Sequence, residues 1–504
     1  ITGDDQVTID GNGIISSTYG QMFADGAFTA DAAAKLKLVS GAISLNDKTY
    51  TLSDLQAIKG ALTTDTEVVP TGTLVDAEGT EVKTITLADA ASVGNKIALE
   101  QFAVEGAGTD GTLTLDSGIN VGALKLADGT NTVAIAGQNI TLGGSQIGEV
   151  LQAAEGVTPV LTLTDSATLQ LGNNALAKTT AINANADINA TDSLIRSNGA
   201  AAIGGNVSLT DADLAVHTGS LTLKKALTVA GAADLSGTIT VAGATQAAGE
   251  DAANINIGTS SATGDVTLHD VNLNGGSLAV QSGSTLTLSG TDAQPGAVQA
   301  AISVNKGTLA SDGPAAVTGG VALTNGTIQS QAGSLGIDAI TASGTNTLTG
   351  DVKVSDGISS SASSILNIGA SDTAAKVTTG NIDVNTGTVT VDGASTLTLS
   401  GETGQVTANK LNVNNGSTLA SNGNATINAA ILLNGDKNTI DGQSGSLVAT
   451  QDVKTYGDAD ILGNVTCSVC RTSLHLCAVF SGKSSAAVTC ISTVGVYDDL
   501  TASH

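Results

Sequence analysis

Tryptophan is absent from the 504 residues, methionine occurs once (Met22), and phenylalanine and tyrosine number four each. A conventional globular core leans on such large side chains, so a thick, aromatic-centred interior is excluded. The apolar 41% comes mainly from Ala, Val, Leu and Ile, which suit a narrow interior of short stacked strands. Basic residues are scarce too, 19 Lys and Arg against 46 Asp and Glu. A net charge of −27 argues against nucleic acid, whose phosphates need cations, and against anionic lipid surfaces. No apolar run approaches the ~18 residues of a membrane span. The most apolar stretch, INAAILLNG at 427–435, has the length of a buried strand. Proline stands only at Pro70, Pro159, Pro295 and Pro314, as suits a ladder that uses nearly every backbone N–H. The chain begins with Ile1, which reads as a processed or partial chain whose secretory signal has been removed.

What the chain has in quantity is glycine, 62 residues, and short alternating runs. TLTLD, ALKLAD, TVAIAG, NITLGG, TLQLG, VSLTD and TITVAG each end in Gly, Asp or a close relative. Period-two alternation makes a strand with one dry and one wet face. Leu286 and Leu288 are expected to point inward, Thr285 and Thr287 outward. Gly and Asn tolerate positive φ and permit sharp corners. With no amphipathic helix to serve as a crossover, parallel strands require the chain to coil over itself. The fold expected is all-β, a right-handed parallel β-helix (β-solenoid) with a mixed N-terminal cap. Its coils should take roughly 20–25 residues and stack at ~4.8 Å.

A longer period lies above the strand period. STLTLSG occurs at 284–290 and again at 395–401, an offset of 111. TLASDG at 308–313 returns as TLASNG at 418–423, and GSL recurs at 219, 333 and 445. Residues 107–466 therefore read as an array of ~110-residue repeats, each spanning about five coils. Residues 1–106 differ, holding Phe23, Phe28, Phe102, Tyr19 and Tyr50. Segments 31–39 and 53–62 have helical character, with Ser53 a candidate cap. This region reads as an N-terminal cap or a subunit-contact module. Residues 467–504 contain every cysteine and read as a C-terminal cap or a divergent tail.

Chemistry-bearing motifs are few. No H-E-x-x-H or G-x-S-x-G pattern occurs, and His217 and His269 read as exposed repeat positions. No catalytic residue and no cofactor is expected. The Asp-rich turns, such as TDAD at 210–213, suit calcium through their oxygens, with solvated turn carboxylates as the plainer account. A β-helix enzyme acting on polysaccharide would need paired carboxylates across coils. It would also favour aromatic platforms, and the array offers only Tyr456. Cys467, Cys470, Cys477 and Cys490 carry one C-x2-C knuckle, where a zinc ribbon wants two. Disulfides, with three pairings open if all four cysteines join, a metal site and unpaired thiols all remain readings of this set.

The recurring units GSLTLKKALTVAG and GTVTVDGASTLTLSG resemble the texture of autotransporter passengers and filamentous-haemagglutinin-type adhesins over roughly 107–466. That resemblance implies a right-handed β-helix outside a Gram-negative bacterial cell, serving adhesion, aggregation or biofilm. Two functions follow as expectations. One is a non-enzymatic extracellular structural protein that self-associates into a homopolymer, as a surface filament, sheath or layer. The other is an adhesin passenger with a cell-surface or glycan ligand.

Overall fold

A computed structural model describes residues 131–143, 149–153, 155–172 and 182–472. It also describes the short strands Thr8–Ile9, Lys37–Leu38, Ile43–Leu45, Lys48–Tyr50, Thr84–Leu87, Leu99–Val104, Thr112–Leu115, Ile119–Leu126 and Thr489–Cys490. Among the described residues every regular element is a strand. The chain divides into two compact units, Ile1–Val266 and Thr267–His504, and each contains a parallel β-solenoid.

In the unit Thr267–His504 each coil contributes a strand to three faces. The first face stacks Thr285–Leu288, Thr308–Ser311 and Thr327–Ser330, and continues through Ile365–Ile368 and Thr388–Val391. Its inward column is Leu286, Leu309, Ile328, Leu348, Ile368, Val391, Val413 and Leu433. The second face carries Leu335, Val352, Val377, Leu397, Leu419 and Ile440 inward. The third carries Ile340, Ile358, Ile382, Val406, Ile427, Ala449 and Cys467. All are buried, and each Leu, Ile or Val so placed contributes about 1.5–3 kcal/mol. The alternation expected at 284–290 is present, with Leu286 and Leu288 inside and Thr285 and Thr287 at the surface.

Coil length varies from 17 residues (Leu335 to Val352) to 27 (Asp270 to Ala297), because the strands stay constant and the corners absorb the difference. The strand Thr345–Ser359 makes an entire coil by itself. It bends at Gly350 (φ 74°) and Gly357 (φ 108°), and a Cβ at Gly350 would meet the Ser330 carbonyl oxygen. Other corners place Asn or Lys at positive φ, as at Lys306 and Asn325, stacked on Gly344. The Asn325 side-chain oxygen also accepts the Thr345 N–H from the next coil, at 3.0 Å.

The long sequence repeat does not span whole coils. The first STLTLSG copy forms Thr285–Leu288 on the first face, and the second forms Thr396–Leu399 on the second. TLAS likewise moves from the first face (Thr308–Ser311) to the second (Thr418–Ser421). GSL moves from the second (Leu335) to the third (Leu447). Each repeat therefore advances five coils and one further face, rather than about five coils. Any face accepts the same short strand, since each asks only for inward Leu, Ile or Val and a turn-forming corner.

Two corners of this unit are closed by buried asparagines. Asn438 accepts the N–H groups of Gly416 (3.1 Å) and Ser417 (3.2 Å) and donates to the carbonyls of Asn434 and Gly435 (both 2.9 Å). Asn346 accepts the Gly326 N–H at 3.1 Å and donates to Ser343 O at 3.0 Å. Neither is exposed to solvent. Asn438 ends a buried polar ladder that crosses coils: Ala375 N donates to Ser395 Oγ, Ser395 N to Ser417 Oγ, and Ser417 N to Asn438 Oδ1. Such groups are tolerated inside only when paired.

In the unit Ile1–Val266 the same logic holds with longer corners, up to the 34 residues from Glu149 to Asn183. One inward column runs Val133, Leu161, Ile188, Val207, Leu227. A left-handed corner stacks Asp192, Asp211 and Gly231 at φ 45°, 48° and 68°, residue types for which that region is cheap. Lys37–Leu38, inside the segment expected to be helical, is a strand paired with Thr8–Ile9. The K-L-K-L run at 35–38 carries the strand period, not the helical one. Ile43–Leu45 pairs antiparallel with Lys48–Tyr50 and Thr84–Leu87. Segment 53–62 and the rest of the expected cap lie outside the described residues.

Candidate functional site

The outward positions of the unit Thr267–His504 form straight rows of small uncharged polar groups. On the first face Thr285, Thr308, Thr327, Thr347, Asn367 and Thr390 stand one above another. Neighbouring coils link through these side chains: Asn434 Nδ2 donates to Asn414 Oδ1, Ser446 Oγ to Asn424 Oδ1, and Thr450 Oγ1 to Asn428 Oδ1, all at 2.9 Å. Such rows offer hydrogen bonds and flat area, without groups that transfer protons at neutral pH. Charges at strand positions are few and uneven. The second face presents Asp351, Lys353, Lys376, Asp441 and Asp460, whereas the third presents Asp383 among its outward residues. Most other carboxylates of this unit, such as Asp312, Asp356, Asp392 and Asp436, stand at corners.

In the unit Ile1–Val266, Asp213, Asp234 and Asn256 stack on successive coils. Asp234 N donates to Asp213 Oδ1 at 3.0 Å, and Asn256 Nδ2 donates to Asp234 Oδ1 at 2.7 Å. Burial pushes the Asp213 carboxyl above its ordinary value, the hydrogen bond from Asp234 N opposes this, and the Asp234 charge adds to it. A carboxyl with a raised folded-state value resists ionisation more when folded than when unfolded. Its charge therefore costs stability once the pH passes the unfolded value. Asp213→Asn, which keeps the Oδ1 acceptor, should raise the melting temperature at pH 7 and leave it unchanged at pH 3. The gain should stay below about 1 kcal/mol, since solvent screens much of the repulsion. Glu149 is also raised by burial, opposed by the Asn185 N–H that it accepts at 2.9 Å and by the Lys224 charge.

Calcium would need more oxygens than these pairs supply. Among the described residues no group of three or more His, Cys, Asp and Glu side chains stands close enough to hold a metal. His217 is exposed, as expected. His269 is not: it is part-buried at a corner, with Nδ1 2.8 Å from Ser289 O and Nε2 3.7 Å from Asp270 Oδ2. A carbonyl can only accept, so Nδ1 carries the proton and the ring closes the corner. Cys467 is buried in the third-face column and is disulfide-bonded. Strand register sets Cys490 beside it and Cys470 beside Val453, while Cys477 lies outside the described residues. Tyr456 is 57% exposed, on the coil that also exposes Leu462.

Sequence reasoning missed Asn346 and Asn438, although a signal was present. In N-T-L (346–348) and N-T-I (438–440) the Asn shares the inward parity of the aliphatic residue two places on. It also treated the TLAS serines as equivalent. Ser421 Oγ donates to Gly423 O on the second face, whereas Ser311 Oγ on the first is buried without a partner. No helix among the described residues is long and apolar enough to cross a membrane. No family model matches this chain, and no curated protein or solved structure shows significant similarity to it.

Proposed function

We propose that this chain is a non-enzymatic extracellular structural repeat protein that self-associates at a bacterial surface into a filament, sheath or layer. The observation that carries this reading is the placement of charge. A chain of net charge −27 keeps most outward strand positions of the unit Thr267–His504 neutral, in rows of Thr, Ser, Asn and Ala. Short side chains held on a stacked sheet lose little entropy when a second surface covers them, and neutral groups cost less to desolvate than ions. Faces of this kind suit repeated lateral contact, and heterologous contacts lead to open assembly. Negative-stain microscopy of the full chain should show filaments or sheets that grow with concentration. Separate rods alone at high concentration would count against assembly.

A second reading, an autotransporter-type adhesin passenger with a cell-surface or glycan ligand, is favoured by the exposed Tyr456 ring, since aromatic faces stack on apolar sugar faces. Glycan-array binding that Tyr456→Ala abolishes would support it.

A further inference from the structure

The second face of the unit Thr267–His504 is the one whose charge is ordered along the stack. At one end its outward positions are Asp351, Lys353 and, one coil on, Lys376. At the other end they are Asp441 and, one coil on, Asp460. Thr396, Thr398 and Thr418 stand between, with Ala420 fully buried among its neighbours. The strand rows thus sum to +1 at one end and −2 at the other. The corner carboxylates Asp356 and Asp372 lie beyond those rows at the cationic end, as Asp436 and Asp458 do at the anionic end.

We infer that this face is a lateral contact for a second copy of the same chain, packed antiparallel. The inference rests on the self-association reading above and names its surface. A two-fold axis along the strand direction, midway between the Thr396 and Thr418 coils, lays each cationic end on the partner's anionic end. The neutral threonine rows meet in the middle, where no charge must be desolvated. Lysine stems are long enough for each ammonium to reach a carboxylate in the adjoining column. The parallel arrangement would set Lys353 and Lys376 against their own copies. Six strands at ~4.8 Å span roughly 24 Å, and strands of four to five residues are about 15 Å wide. The contact is then roughly 400 Å² per copy, at the weak end of interface sizes, and suits a lattice that multiplies weak contacts. The other two faces stay free for growth.

Charge reversal of the full chain tests this, read by sedimentation equilibrium up to about 0.5 mM at low salt. Wild type should associate with concentration. Lys353→Glu with Lys376→Glu should weaken association about tenfold or more, and so should Asp441→Lys with Asp460→Lys. An equimolar mixture of the two variants should restore association to within about threefold of wild type, because each end then meets its opposite. Circular dichroism checks that the variants, altered only at outward positions, remain folded. If wild type associates while both variants match it, or the mixture stays weak, the assignment of this face is overturned and the self-association reading stands. If wild type remains monomeric throughout, both fall.

Discussion

Leu397→Asp should be among the most damaging single changes in the unit Thr267–His504, and Thr398→Asp, one residue on, among the mildest. Leu397 lies fully buried between Val377 and Leu419 on adjacent coils. A carboxylate there has no cation or donor within the column, so it must enter uncompensated or force the corner open. The expected loss is about 5 kcal/mol or more. Thr398 points outward between Thr378 and Ala420, and its replacement should shift stability by about 0.5 kcal/mol at most. Each coil of a solenoid touches only its neighbours, so the damage should be local. Hydrogen exchange should show lost protection in the strands of Val377 and Leu419 and native protection near Leu286. Equal effects from the two substitutions would contradict the inward and outward assignment.

The second large effect concerns a polar residue. Asn438→Ala removes four hydrogen bonds at once, two accepted and two donated. The Ser417 N–H then has no partner and is shut away from water, while the carbonyls of Asn434 and Gly435 lie nearer the surface and can be rehydrated. With about 1–3 kcal/mol for each group left buried and unpaired, a loss of about 3 kcal/mol is expected from urea denaturation. Asn434→Ala is the control. It loses one surface bond, to Asn414, and should cost under about 1 kcal/mol. If the two cost the same, Asn438 is not the corner closure described.

These two sites differ in how far the chain announced them. Leu397 could be assigned inward from the alternation S-T-L-T-L-S alone, because a strand has one possible periodicity and an aliphatic residue has one favourable side. Asn438 has the same inward parity, but asparagine is a turn residue by habit. Only the coordinates of Gly416 and Ser417, about a coil earlier, make its burial satisfiable. The charge-ordered face was further still from view. Lys353, Lys376, Asp441 and Asp460 are separated by 19 to 65 residues, and coil lengths from 17 to 27 give no constant offset by which to find them. His269 was misread for a related reason. Its partner, Ser289 O, comes from the next coil.

By itself, the sequence determined the class of this protein. Alternating short strands, turn-forming corners, few prolines and small aliphatic residues admit a coiled parallel sheet and little else, because local periodicity and composition act within a few residues. Tertiary structure decided which face each strand occupies. The repeated STLTLSG sits on the first face once and on the second face once, since the repeat exceeds five coils by a third of a turn. Phase of that kind accumulates from every corner before it. It is a property of the summed path, and no single motif records it.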